Sequence, residues 1–296
     1  MLLQKIEGML EESGFDYCEF SGCFDIAARS AKAKRQSFIL LKLLGNVDSF
    51  QEEQANNLKI LSRGLEAQPV LVGLHTSRET LSDNVIYGRF DIPTVTPKTL
   101  ECILSGQLPE LYRFRGGMFA EVDPKALRAA RENADLSQSQ LAEKVGVTKK
   151  SIYEHENRKM KIERKNAIKI ERVLKTKVTI PLEIRITYEI SAGPRSRFEN
   201  KISKSFRSLG FSTDFVYQSP FNMLASEKKF MLLSDVEERG KDIRKKVPYI
   251  SDFSRLSGKS AIIVTNDEEN FDIPTIRERD LLEMKRRDLK RLVRKW

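Results

Sequence analysis

Hydrophobic residues recur along this chain in two periods, and each period predicts a different element. In the opening stretch MLLQKIEGMLEESG, Leu2, Leu3, Ile6 and Met9 or Leu10 fall at helical spacing with acids between them, which predicts an amphipathic helix. Short apolar runs follow, such as FILLKLL (Phe38 to Leu44) and VLVGL (Val70 to Leu74), and these read as buried strands. The charged stretch between them, near Glu52 to Arg63, returns to the helical period, and a last strand and helix are predicted at DIPT, from Asp91. The closing third repeats this order, with a charged helix near Glu237 to Arg255, a strand at AIIVT (Ala261 to Thr265) and a second DIPT from Asp272. Between Asp123 and Leu174 the pattern is helical throughout.

The repetition extends to the residues themselves. FDIPTVTPKTLECI (Phe90 to Ile103) is echoed by FDIPTIRERDLLEM (Phe271 to Met284), and LSRGLEAQPVLVG (Leu61 to Gly73) by FSRLSGKSAIIVT (Phe253 to Thr265). FILLKLL faces FMLLSDV (Phe230 to Val236), and SGFDYCEFSGCFDI (Ser13 to Ile26) faces LGFSTDFVYQSPFNM (Leu209 to Met223). Similar blocks in the same order imply a duplication of one α/β unit, a sheet covered by helices. The order resembles the restriction-endonuclease-like fold of many nucleases and archaeal junction resolvases. That resemblance implies an acid at the turn into one strand, then acid-x-Lys on the next, to hold Mg²⁺ and steady the attacking water. The first copy has Asp25 and Lys42 in those places but Leu40 where the second acid belongs. Aligned by the echo, the second copy has Asn222, Leu232 and Ser234. Neither copy is expected to hold a metal, and Asp25 and Lys42 read as a strand-end turn residue and a snorkelling sheet lysine.

The middle carries helix punctuation in sequence. Asp123-Pro124 offers an N-cap and a proline at the first helical position, with Leu127, Ala130 and Arg131 continuing the period. Ser137 to Gln140 fits the capping-box form, and Leu141, Ala142 and Val145 then line one face. Gly146 stands where a positive φ is needed to turn, Val147 plugs the corner, Thr148 caps a third helix and Ile152 points inward from it. A fourth helix is predicted from about Glu163, with Ala167, Ile170, Val173 and Leu174 facing the core. In this order and spacing the segment resembles the Cro/C1-type helix-turn-helix domain of phage repressors and bacterial regulators. The resemblance covers roughly 122–178.

The resemblance implies that the third helix lies in a DNA major groove. Lys149, Lys150, Ser151 and Glu154 would then read bases, and the lysines point to a guanine-containing half-site. Gln138, Thr148, Asn157, Arg158, Lys159, Lys161 and Arg164 would hold phosphates. Arg158 stands where the family often has glycine. Arg131 and Glu156 are implied as an ion pair bracing the first helix against the end of the third. His155 reads as a partly exposed helix residue.

Charge sharpens the division. The chain carries a formal +10 over 296 residues. Residues 1–121 hold 13 Lys and Arg against 16 Asp and Glu, residues 122–180 hold 15 against 8, and residues 181–296 hold 24 against 18. An anionic partner therefore belongs to the middle and end rather than the first third. Cys18, Cys23 and Cys102, with only His75 and His155 beside them, lack zinc spacing and read as reduced buried thiols. No apolar run approaches the ~20 residues needed to span a bilayer. The basic tail KRRDLKRLVRKW sets Leu289, Leu292, Val293 and Trp296 at helical spacing, for packing on the second copy or for contact with DNA, an anionic membrane or an acidic partner.

The expected fold is multidomain α/β plus all-α. A nuclease-like α/β copy spans 1–117, a central helix-turn-helix domain of four to five helices spans 122–178, and a second copy with the basic helix spans 182–296. The junctions are placed at LYRFRGGMFAEVDP (Leu111 to Pro124) and ISAGPRSRFEN (Ile190 to Asn200). The arrangement resembles the archaeal family of Cro/C1-type transcriptional regulators, which implies a cytoplasmic, non-enzymatic homodimer on double-stranded DNA, without a cofactor. The flanks would serve dimerisation or the sensing of an effector that the sequence does not name. A Mg²⁺-dependent, structure-selective DNA nuclease and an RNA- or ribosome-associated coactivator stand as alternatives.

Overall fold

A computed structural model describes residues 2–30, 38–114, 116–158, 160–182, 188–238, 243–267 and 271–294. The chain opens with α1 (Leu2–Glu12), β1 (Asp16–Glu19), β2 (Ile26–Arg29), β3 (Phe38–Asn46), α2 (Glu52–Leu65) and β4 (Gln68–His75). It continues through β5 (Val85–Arg89), β6 (Ile92–Val95), α3 (Pro97–Leu104), β7 (Leu111–Phe114) and β8 (Gly117–Val122). The helical middle follows as α4 (Pro124–Asn133), α5 (Gln138–Val145), α6 (Lys149–Asn157), β9 (Lys161–Glu163), α7 (Arg164–Leu174) and β10 (Thr179–Ile180). The last third is α8 (Arg197–Ser208), β11 (Ser212–Phe215), β12 (Met223–Glu227), β13 (Phe230–Val236), α9 (Ile243–Ser257), β14 (Ser260–Val264), β15 (Thr275–Ile276), α10 (Glu278–Glu283) and α11 (Arg286–Arg294).

Two compact units emerge. One comprises Met1–Leu71 with Arg185–Trp296, the other Val72–Ile184, and the division falls inside β4.

In the first unit β1, β2 and β3 pair antiparallel in that order, with β4 next to β3. β11, β12 and β13 also pair antiparallel, and β14 and β15 then add in parallel. The apolar stripe of α1 buries Ile6 and Leu10, and that of α8 buries Phe198, Ile202 and Phe206. Phe253 of α9 ties the two ends of the chain together, its ring 5.6 Å from Phe24, 6.2 Å from Phe38 and 5.3 Å from Phe221. Backbone joins them too: Cys23 N donates to Gln218 O at 2.7 Å. Gly22 is obligatory there, because a Cβ would lie 2.1 Å from the Gln218 carbonyl oxygen. Helix α11 packs Leu289 and Val293 into the core of this unit, while Arg286 and Lys290 pair with Glu227. Its stripe is thus used for packing; Trp296 lies outside the described residues.

In the second unit the order is β6-β5-β7-β8-β10, with β9 on the other side of β8. Gly116, at φ +80°, turns β7 into β8, so the glycine pair expected to mark a junction instead makes a hairpin. Glycine in a left-handed turn and glycine in a linker look alike in sequence; only strand pairing separates them. The hairpin's inward residues Ala120 and Val122 join Leu127, Leu141, Val145, Ile152, Ala167 and Ile170 in one apolar cluster. No described helix is long and apolar enough to cross a membrane.

Candidate nucleic-acid interface

Local chemistry fixes the helical middle. Asp123 Oδ1 accepts from the Lys125 and Ala126 amides at 2.9 and 3.2 Å, starting α4. Ser137 and Gln140 exchange hydrogen bonds of 3.2 and 2.8 Å across the first turn of α5. Gly146 takes φ +80° at its end, and Thr148 Oγ1 accepts from Ser151 N at 3.1 Å to start α6. Each cap satisfies amides that a helix end leaves open.

Helix α6 is thereby presented with one face inward and one out. Ile152, His155 and Glu156 are buried. Lys149, Lys150, Tyr153 and Asn157 are exposed, with Ser151 and Glu154 half-exposed. Neither Lys149 nor Lys150 makes an ion pair among the described residues, so both ammonium groups are free for a partner. Tyr153, 55% exposed, escaped the sequence reading although its place after inward-facing Ile152 puts it on the outer face.

Glu156 anchors this face from behind. Its carboxylate takes Arg131 Nε at 2.5 Å and Nη2 at 3.1 Å, and Gln138 Nε2 at 2.8 Å. Arg131 also donates to the Leu136 carbonyl at 2.8 Å. A forked, buried pair with every donor directed is the geometry in which an internal charge is tolerated. Asn157 Nδ2 donates to Tyr153 O at 2.7 Å, and Arg158 lies 3.9 Å from Glu154. Thr148, Arg158, Lys161 and Arg164 are exposed, and Lys159 lies outside the described residues.

His155 is buried, not partly exposed: 6% of its surface is accessible, its Nδ1 has no partner among the described residues, and burial holds its pKa below the ordinary value. The helical period that turns Ile152 inward carries the residue three places on with it. Of the cysteines only Cys23 is buried; Cys18 and Cys102 are half-buried, and burial pushes both Cys18 and Cys23 up to about 12.

The first unit holds a second cluster of buried polar groups. Lys42 is 7% exposed and does not snorkel; its ammonium pairs with Asp25 Oδ1 at 2.8 Å and donates to Gly22 O at 2.9 Å. Asp25 Oδ2 accepts from Leu43 N at 2.7 Å, and Asn222 Oδ1 accepts likewise from Val236 N at 2.8 Å. Aligned on that shared hydrogen bond, Lys42 corresponds to Asp235 and Leu40 to Leu233. The echo of FILLKLL in FMLLSDV, which set them against Ser234 and Leu232, is therefore one residue out. A one-residue slip costs little in matched letters yet moves every side chain to the other face of a strand. Asp235 is fully buried, 3.3 Å from Lys246, and burial pushes it up to about 7 although that ammonium pulls it down. A divalent cation does not fit either place. Both Asp25 oxygens are engaged, Leu40 is apolar, Asn222 is neutral, and among the described residues no group of metal-ligating side chains converges. Asp25, Tyr17, Cys18 and Tyr249 do line an open cleft of about 1530 Å³.

A helix-turn-helix and a nuclease-type α/β fold in one chain define the class, and comparison agrees: residues 1–109 match the PD-(D/E)XK superfamily domain and residues 127–180 a helix-turn-helix family. The chain is 34% identical over 247 residues to a "Putative HTH-type transcriptional regulatory protein" of Pyrococcus furiosus, covering 79% of this chain and 76% of that one. A protein of the same name in Pyrococcus horikoshii is 30% identical over 275 residues, 89% and 86% of the two chains. Another in Methanothermobacter thermautotrophicus is 29% identical over 294 residues, 96% and 92%. No solved structure matches. The chain belongs to this family of archaeal proteins named as HTH-type transcriptional regulators.

Proposed function

We propose that this chain is a sequence-specific transcriptional regulator that binds double-stranded DNA through α6, as a cytoplasmic homodimer. The observation that carries the reading is the outer face of α6, with two unpaired ammonium groups at its start and a buried ion pair fixing its end. Lys149 and Lys150 donate to guanine O6 and N7, Ser151 and Glu154 complete the base contacts, and Tyr153 offers an apolar edge to a thymine methyl. Thr148 accepts as a cap but keeps its hydroxyl proton for a phosphate. Gln138 and Asn157 each keep one amide proton for the same use, and Arg158, Lys159, Lys161 and Arg164 follow the backbone. One reader covers one half-site, and two copies spaced about one helical turn make an operator.

We infer further that the α/β unit is a duplication. Each half runs helix, antiparallel strands, helix, strand, and each helix of the pair (α2, α9) meets the opposite half at a matching place: Asn57 Oδ1 takes Tyr217 N at 2.8 Å, and Tyr249 packs on Phe20 at 5.5 Å. With its hydrolytic donors lost, this unit serves regulation rather than cutting, and its open cleft suits an effector.

Selection of binding sites from random duplexes tests the reading. A motif should emerge whose guanine preference disappears in Lys149→Ala or Lys150→Ala; no motif, or one indifferent to both changes, would overturn it.

A further inference from the structure

We propose that the outer face of the β7–β8 hairpin and β9 is a second DNA-binding surface, where the Phe114 ring stacks against a base step beside the major-groove site and Lys161 takes the adjoining phosphate. The inference rests on the reading that α6 enters the groove.

The hairpin has two faces because its residues alternate. Ala120, Val122 and Ile162 point into the helical core. Tyr112, Phe114 and Phe119 point the other way. Tyr112 and Phe119 stack at 5.7 Å, Phe114 meets Phe119 edge-on at 6.5 Å, and Phe114 stays 45% exposed at the tip. The Lys161 ammonium stands over the Tyr112 and Phe114 rings, 4.6 and 4.9 Å from their centroids. Two acids share this face: Glu163 is paired with Lys165 at 2.6 Å, and Glu121 is half-buried.

Place and charge select the partner. Lys161 lies four residues beyond Asn157, the last of α6, so the aromatic face begins where the reading helix ends. Residues 122–180, which supply β9 but not the rings of the hairpin, carry 15 bases against 8 acids, a surplus suited to a polyanion. An exposed ring with a cation held just above it matches a nucleotide, base and phosphate together, whereas a protein partner would want the ammonium withdrawn. Aromatic and apolar side chains are used in this way to open a base step or to stack on a base.

The full-length chain, bound to its selected duplex with 2-aminopurine placed at successive flanking steps, tests this. Binding should raise the fluorescence at one flank. Phe114→Ala should abolish that rise and weaken binding roughly five- to a hundredfold while leaving the guanine preference of α6 intact. Phe114→Trp should preserve both. Lys161→Ala should reduce the slope of log Kd against log salt by about one, a readout independent of how well Phe114→Ala folds. Phe114→Ala matching the wild type in affinity and fluorescence would overturn the proposal while the α6 reading stands, and Lys161→Ala leaving the slope unchanged would remove that phosphate contact from both. Loss of structured-RNA rather than duplex binding in Phe114→Ala would also overturn it. Failure of the wild type to bind any duplex would sink both.

Discussion

Arg131 and Glu156 meet inside the helical unit with side chains 10% and 2% exposed, so removing either strands the other's charge. Arg131→Met or Glu156→Leu alone should each cost about 3–5 kcal/mol in denaturant unfolding, and the double change much less than the sum. Asp235 sets a different balance. Its folded pKa, about 7, lies above the unfolded value of 3.8, so the folded state binds the extra proton between them and stability falls as pH rises through that window. Asp235→Asn should raise the melting temperature by an amount that grows from pH 5 to pH 8 and then levels; a gain independent of pH would show that the carboxyl is not titrating there. At this scale the sequence was partly legible. Arg131 and Glu156 lie 25 residues apart, and their meeting was implied by family pattern rather than by spacing. Asp235 was hidden, because identity matching placed Ser234 in its role.

Among elements, the caps were legible and the pairings were not. Asp123, Ser137 and Thr148 act on amides two or three residues away, so the letters alone carry the signal. The turn between α5 and α6 depends on Gly146 at φ +80°, where an added Cβ would meet nothing nearer than Lys169 Nζ at 3.8 Å. Gly146→Ala should therefore cost about 1 kcal/mol of backbone strain and no packing, measurable as a lowered urea midpoint with unchanged slope. Lys175 ends α7 in the same left-handed region at φ +51°, and Lys175→Gly should stabilise by roughly 0.5–1 kcal/mol in the same assay. The β7–β8 hairpin and the register of β13 depend on partners distant in sequence. No local pattern separates a hairpin from a linker or one register from the next.

For the whole chain, the excess of acids in residues 1–121 and of bases beyond them separates an acidic first third from a basic remainder, and periodicity marked the α/β flanks. Leu40 leaves the acid-x-Lys pattern incomplete, and the geometry shows where the remaining carboxylate goes: Asp25 is engaged by Lys42 and the Leu43 amide. Incubated with Mg²⁺ or Mn²⁺ and branched or duplex DNA, the chain should leave the strands intact. Cleavage that Asp25→Ala abolishes would reverse the assignment. Phe253 carries a consequence for manufacture. Residues 1–71 are synthesised long before it, and at about 5–20 residues per second roughly ten to forty seconds pass before that ring can cover Phe24 and Phe38. Through that delay the nascent first half is an unfinished, sticky product. A chain stopped after residue 184 should accordingly fall into the insoluble fraction, and supplying 185–296 as a separate polypeptide should recover it.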